Sequence, residues 1–266
     1  MKISTFFKYT IVAGIISCYY SCNSNSQQAN KSDAPTAKEE ASESVIDLDK
    51  NYSYKNYEII PYQQYSNKEA IPFNIGDDLI ALFIIEESYG SLIETKVLSV
   101  KDKTDEITGE PIAEPIFEGN EGNNYIYDYL FKGLKQYSQA AIDCYQFYNS
   151  DEWYAEYKIN IDYNQKMHYN LKLDNVSNNK SLLILSSEGK SETLLELPIG
   201  AKPDGKVYPQ LFNDIDGDDK PDLIMYYYTE STNQVIEHTL LFLSSEADEN
   251  SFLKLVSIYV TKKEKK

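Results

Sequence analysis

Between Trp153 and Tyr163 apolar and polar residues alternate one by one, and a side-chain period of two dictates a strand with one face on a core. Trp153, Ala155, Tyr157, Ile159, Ile161 and Tyr163 point one way, while Tyr154, Glu156, Lys158, Asn160 and Asp162 point the other. The next run repeats the pattern, with Met167, Tyr169, Leu171 and Leu173 inward and His168, Asn170, Lys172 and Asp174 outward. Asn164–Gln165–Lys166 between them is short enough to predict an antiparallel hairpin. Further runs follow, each bounded by polar turn residues: 182–185, 193–197, 223–228, 235–243 and 252–260. Upstream, 79–85 and 91–100 flank Tyr89–Gly90 as another hairpin region. One stretch departs from this rhythm. Leu134, Tyr137, Ala141 and Cys144 recur at helical spacing and predict a short helix over about Gly133–Phe147.

The expected fold is therefore mainly β, an antiparallel meander or sandwich-like body with one short helix. Gly119–Asn124 is the expected internal boundary, dividing a small N-terminal β unit over 51–118 from a β domain over 125–261.

Composition removes several function classes. All 25 basic residues are Lys, and the 42 acidic ones leave a formal charge of -17. A chain without Arg and without a basic footprint is not built for nucleic acid. Only two histidines are present, which leaves little for His-dependent catalysis. His168 is expected on a solvated face, and His238, sharing a face with Ile236, Leu240 and Phe242, as a satisfied semi-buried ring. The 24 tyrosines suit strands, with the ring on the core and the hydroxyl at the rim. A platform for stacking sugar rings is the second reading of that abundance.

Residues 1–22 read as an export signal. Lys2 and Lys8 precede an apolar centre over 11–16 that is too short for a permanent bilayer span. Ser17–Cys18 and Ser21–Cys22 each place a small residue directly before a cysteine. This resembles the lipobox of bacterial lipoproteins, which implies lipidation of Cys22, or alternatively Cys18. Cys18 has the better residue three places upstream, Ile15, whereas Cys22 is followed at once by the polar run Asn23–Gln28. Residues 23–50 are expected to be a flexible tether; from Asn23 to Ser44 there is neither an aromatic nor a large aliphatic side chain. Twenty-two coil residues span roughly 25 Å. The resemblance implies a lipid-anchored protein of the bacterial cell envelope, facing the periplasm or the surface. An acidic body is repelled by anionic lipid, so attachment to the membrane rests on acyl chains. Cys144 is the one cysteine beyond the signal, which precludes a disulfide within the folded body and predicts an inert, buried thiol.

One segment carries chemistry. Asn213–Asp214–Ile215–Asp216–Gly217–Asp218–Asp219–Lys220–Pro221–Asp222–Leu223 sets carboxylates at alternate positions of a compact loop. A hard dication takes six to eight oxygens, and alternate residues of a tight loop can turn several inward together. Without a cation the carboxylates repel one another, which couples folding to metal binding. The segment is not an EF-hand, because Met225 stands where that loop needs its bidentate Glu and Asp219 where it needs Gly. It resembles the calcium loops of FG-GAP and VCBS repeats over about ten residues and the strand they enter. The resemblance implies calcium held by the side chains of Asp214, Asp216, Asp218 and Asp222 and by the Lys220 carbonyl, with Asp219 replacing the Gly common at its place. The stretch Asp174–Leu182 has a similar layout without the carboxylates, and one copy does not make a propeller.

No nucleophile elbow, His-Glu-x-x-His helix, phosphate-binding Gly loop or cysteine zinc knuckle occurs. No catalytic residue is therefore assigned. The expected role is binding or organising an envelope protein or polysaccharide; the alternatives are a secreted carbohydrate-active hydrolase using hidden carboxylates and a sugar-binding module.

Overall fold

The computed structural model describes residues 46–63, 65–86, 89–105, 108–118, 127–135, 139–143, 145–146, 157–163, 167–177, 180–198 and 205–265. The chain divides after Ser44, and Val45–Lys266 is one compact unit. Its strands run β1 (Tyr52–Ser53), β2 (Glu58–Pro61), β3 (Asp78–Glu86), β4 (Tyr89–Thr104), β5 (Pro111–Phe117), β6 (Tyr129–Lys132), β7 (Gln139–Asp143) and β8 (Tyr145–Gln146). They continue with β9 (Tyr157–Tyr163), β10 (Met167–Ser177), β11 (Lys180–Ser187), β12 (Lys190–Leu197), β13 (Gly205–Asn213), β14 (Asp222–Glu230), β15 (Gln234–Leu243) and β16 (Lys254–Glu264). The one helical element among the described residues is a single 3₁₀ turn, Lys68–Ala70.

The protein is mainly β, and its strands pair antiparallel in three sheets. A central sheet has the order β1-β16-β15-β14-β13-β8; a four-stranded sheet has β12-β11-β10-β9; the third has β2-β6-β3-β4-β5, with β7 also pairing β4. In the four-stranded sheet the alternation does what it predicts. Ile161, Tyr163, Leu171 and Leu173 are buried, while Asn160, Asp162 and His168 face water, and Tyr163 pairs with Met167. The β11–β12 hairpin turns on Glu188 and Gly189, both with positive φ.

The central sheet differs because both of its faces are covered. Leu223, Met225, Leu240 and Phe242 pack with Leu171, Leu173, Leu183 and Leu185 of the four-stranded sheet. The intervening Ile224, Leu241 and Leu243 pack with Ile59, Ile80, Leu82 and Phe131 of the third sheet. Strands buried on two sides read as continuous apolar runs, which accounts for Leu223–Met225 and Leu240–Leu243.

Two expectations meet a different structure. The helix expected over Gly133–Phe147 is not formed: Gln139–Asp143 is strand β7, with Tyr89 opposite Asp143 and Leu92 opposite Gln139. Four residues at helical spacing are a weak local signal, and pairing with β4 supplies the backbone partners that a helix would otherwise have supplied. The span 51–118 expected as a small N-terminal β unit does not coincide with one sheet: β6 (Tyr129–Lys132) lies between β2 and β3, while β1 joins the central sheet. The expected boundary Gly119–Asn124, the signal with Cys18 and Cys22, the tether up to Ser44, and Cys144 lie outside the described residues. Among the described residues no helix is long and apolar enough to cross a membrane.

Candidate metal centre

The acidic loop connects β13 to β14, and the pair Asn213–Asp222 closes its base. Ile215 anchors it: the side chain is fully buried in the core between the central and third sheets. The Asp214 carboxylate then organises the backbone. Its Oδ1 accepts from the Gly217 and Asp218 N–H groups at 2.7 and 3.2 Å, and its Oδ2 from Asp219 N–H at 3.1 Å. Asp219 adopts φ +65°, a left-handed conformation that favours Gly, and Asp is among the side chains that tolerate it. Gly217 is left-handed as well, at φ +81°.

Asp214, Asp216 and Asp218 come together, with a carboxylate oxygen from each lying within 4.8 Å of the others. Asp222 sits at the base, wholly buried. Its Oδ2 accepts from Ile215 N–H at 2.7 Å and its Oδ1 from Ser244 N–H at 2.8 Å. Lys220 is exposed at the tip, where its N–H donates to Asp218 Oδ1 at 2.9 Å.

Two partners come from outside the loop, on the segment after β15. Ser244 Oγ donates to both oxygens of Asp218 at 3.0 Å, and Ser245 Oγ donates to Asp216 Oδ2. Neither serine belongs to the sequence motif. A hairpin register read outward from the turn at Ser231–Asn233 brings the end of β15 beside the start of β14, and that is the signal by which they could have been found.

The electrostatics are those of crowded, dehydrated acids. Burial, with the neighbouring Asp218 adding to it, raises Asp214 above the ordinary carboxylate range despite its backbone donors. Asp216 is raised by burial and then by Asp218 and Asp214, against the opposing bond from Ser245. Asp222 is raised furthest, by burial first and the Asp216 charge second. The Oδ1 of Asp216 is buried without a hydrogen-bond partner. An unpaired buried carboxylate oxygen is costly, and a cation among the carboxylates is what would compensate it. The donors are all oxygen, which suits a hard dication such as calcium rather than zinc or copper. The residues therefore fit the cation that the loop's resemblance implies.

Other groups singled out from sequence lie elsewhere. His168 is exposed beside Asp162. His238 is fully buried rather than semi-buried, and neither ring nitrogen has a hydrogen-bond partner. Its ring stacks on Tyr227 at 3.9 Å with an interplanar angle of 3°, and the nearest acid, Asp49, is 3.6 Å away. Tyr208, Tyr226 and Tyr228 form a row on the central sheet, but successive rings are tilted by 40° and 57°, so they do not make one flat platform. A hollow of about 280 Å³ is lined by Asp78, Glu94 and Glu118, all three of them exposed, and Asp78 pairs with Lys96 at 3.3 Å.

Fold and loop together define a mainly β protein carrying an acidic, oxygen-lined loop on its central sheet. No family model, curated protein or solved structure matches the chain.

Proposed function

We propose that this is a lipid-anchored protein of the bacterial cell envelope whose β body is clipped by calcium and serves a binding role. Its partner is another envelope protein or a polysaccharide. The observation that carries the calcium reading is the buried, unpartnered Oδ1 of Asp216 beside the carboxylates of Asp214 and Asp218. Asp214, Asp216 and Asp218 supply side-chain oxygens, Asp222 holds the base of the loop and completes the acidic set, and the Lys220 carbonyl is a further oxygen. The ion's work in this reading is structural: it cancels repulsion among acids that the fold has dehydrated. Anchoring rests on the Ser21–Cys22 step, or Ser17–Cys18, behind the apolar stretch 11–16. The test is thermal melting of the purified protein with calcium and with chelator. Calcium should raise the melting temperature, chelator should lower it, and Asp216→Ala should abolish both responses. Identical melting of the wild-type protein in the two conditions rejects the clip.

A further inference from the structure

Ser244, Ser245 and Glu246 are consecutive, yet they hold two distant parts of the chain. Ser244 and Ser245 bind Asp218 and Asp216 of the acidic loop. Glu246 accepts from Tyr57 Oη at 2.7 Å on one oxygen and from Lys55 Nζ at 2.6 Å on the other. Lys55 and Tyr57 belong to the turn Tyr54–Tyr57, closed by Tyr57 N–H donating to the Tyr54 carbonyl at 2.9 Å. This turn carries the chain from β1 in the central sheet to β2 in the third.

The turn needs external support. Lys55 and Asn56 have φ of +50° and +67°, so both central residues are left-handed. Two-residue turns of that kind favour Asn and Gly, and a Lys there is strained. Glu246 holds the Lys55 head and the Tyr57 hydroxyl from one side. Burial first, then Glu246 and the charge of Asp216, push the Tyr57 phenol up to about 12, so it remains a donor at any physiological pH.

We propose that the segment Ser244–Glu246 couples the acidic loop to this crossover turn, so that a bound calcium ion tightens the turn and loss of the ion loosens it. The inference rests on the calcium reading above. With the ion absent, like charges on Asp214, Asp216 and Asp218 push against the two hydroxyls that hold the cluster. With it present, those carboxylates are fixed, the serines that bind them are fixed with them, and Glu246 is the next residue in the chain. Coupling of this kind is reciprocal: if calcium favours the closed turn, the closed turn favours calcium by the same factor, so loosening the turn must weaken calcium binding.

The decisive variant is Tyr57→Phe, which removes the bond to Glu246 and changes no charge, leaving the field at the acidic loop as it was. Calcium is titrated calorimetrically into the purified full chain, wild type and variant, and amide deuterium exchange over 52–61 is followed with and without calcium. The expected result is that calcium slows exchange over 52–61 in the wild type. In Tyr57→Phe its dissociation constant should rise about fivefold or more, with the exchange response reduced. Calcium binding to the wild type with unchanged exchange over 52–61 overturns the coupling alone, as does wild-type affinity in the variant. A wild-type chain that binds no calcium overturns the calcium reading and the coupling with it.

Discussion

Asp216 carries the sharpest consequence at the scale of single residues, since one of its oxygens is satisfied by Ser245 and the other is buried with no partner. In chelator, Asp216→Asn should therefore stabilise the protein by about 1–3 kcal/mol, because it removes a dehydrated charge and keeps an oxygen for Ser245. Urea unfolding measures this, and destabilisation in chelator would mean that the charge is already compensated. His238 provides the pH dependence. Burial lowers its pKa below the ordinary histidine value, outweighing the opposing pull of Asp49. The unfolded chain thus takes up a proton before the folded one does. Stability from this group is complete above about pH 6.5 and is lost as pH falls toward the folded value, at up to about 1.4 kcal/mol per pH unit. His238→Phe keeps a flat ring on Tyr227 and removes the titration. Compared with the variant, the wild type should lose stability between pH 7 and pH 5, and parallel pH profiles would contradict this.

Elements are governed by backbone geometry as much as by side chains. Gly133, after β6, has φ +82°, and a Cβ there would lie 2.5 Å from the Asn56 carbonyl oxygen. Gly189 has the same φ but opens onto empty space. Gly189→Ala should cost about 1 kcal/mol of backbone strain, and Gly133→Ala more than twice that, read as a lower urea midpoint. Equal costs would show that the packing of Asn56 on Gly133 is soft. The same division explains which elements the sequence displayed. Strands β9 to β12 were legible because one face of their sheet is solvated, which writes the alternation into the residues. Strands β14 and β15 were legible as strands, but burial on both faces erased the alternation that would have revealed a central layer. Strand β7 is not legible in its own residues because its backbone partners lie about fifty residues earlier, in β4. The acidic loop was legible because its carboxylates are neighbours in sequence. Ser244 and Ser245 were not, because only the β14–β15 pairing brings them there.

At the scale of the whole molecule, the centre is a sheet covered on both faces, with the acidic loop where two of its strands begin and end. A chain of net charge -17 cannot be drawn to anionic lipid by its own field. Replacing both Cys18 and Cys22 should accordingly move the protein from the detergent-extracted membrane fraction to the soluble one. Retention in the membrane fraction would contradict the lipid anchor. In the proposed calcium clip, an ion that binds only the folded state, supplied at a hundred times its dissociation constant, adds about 2.7 kcal/mol. For a body of this size that is a rise in melting temperature of about 5–10 °C. The most direct test is equilibrium dialysis of the purified chain against millimolar calcium. The account predicts one ion per chain in the wild type and none in Asp216→Ala; a wild-type chain that retains no calcium, or a variant that retains as much, would contradict it.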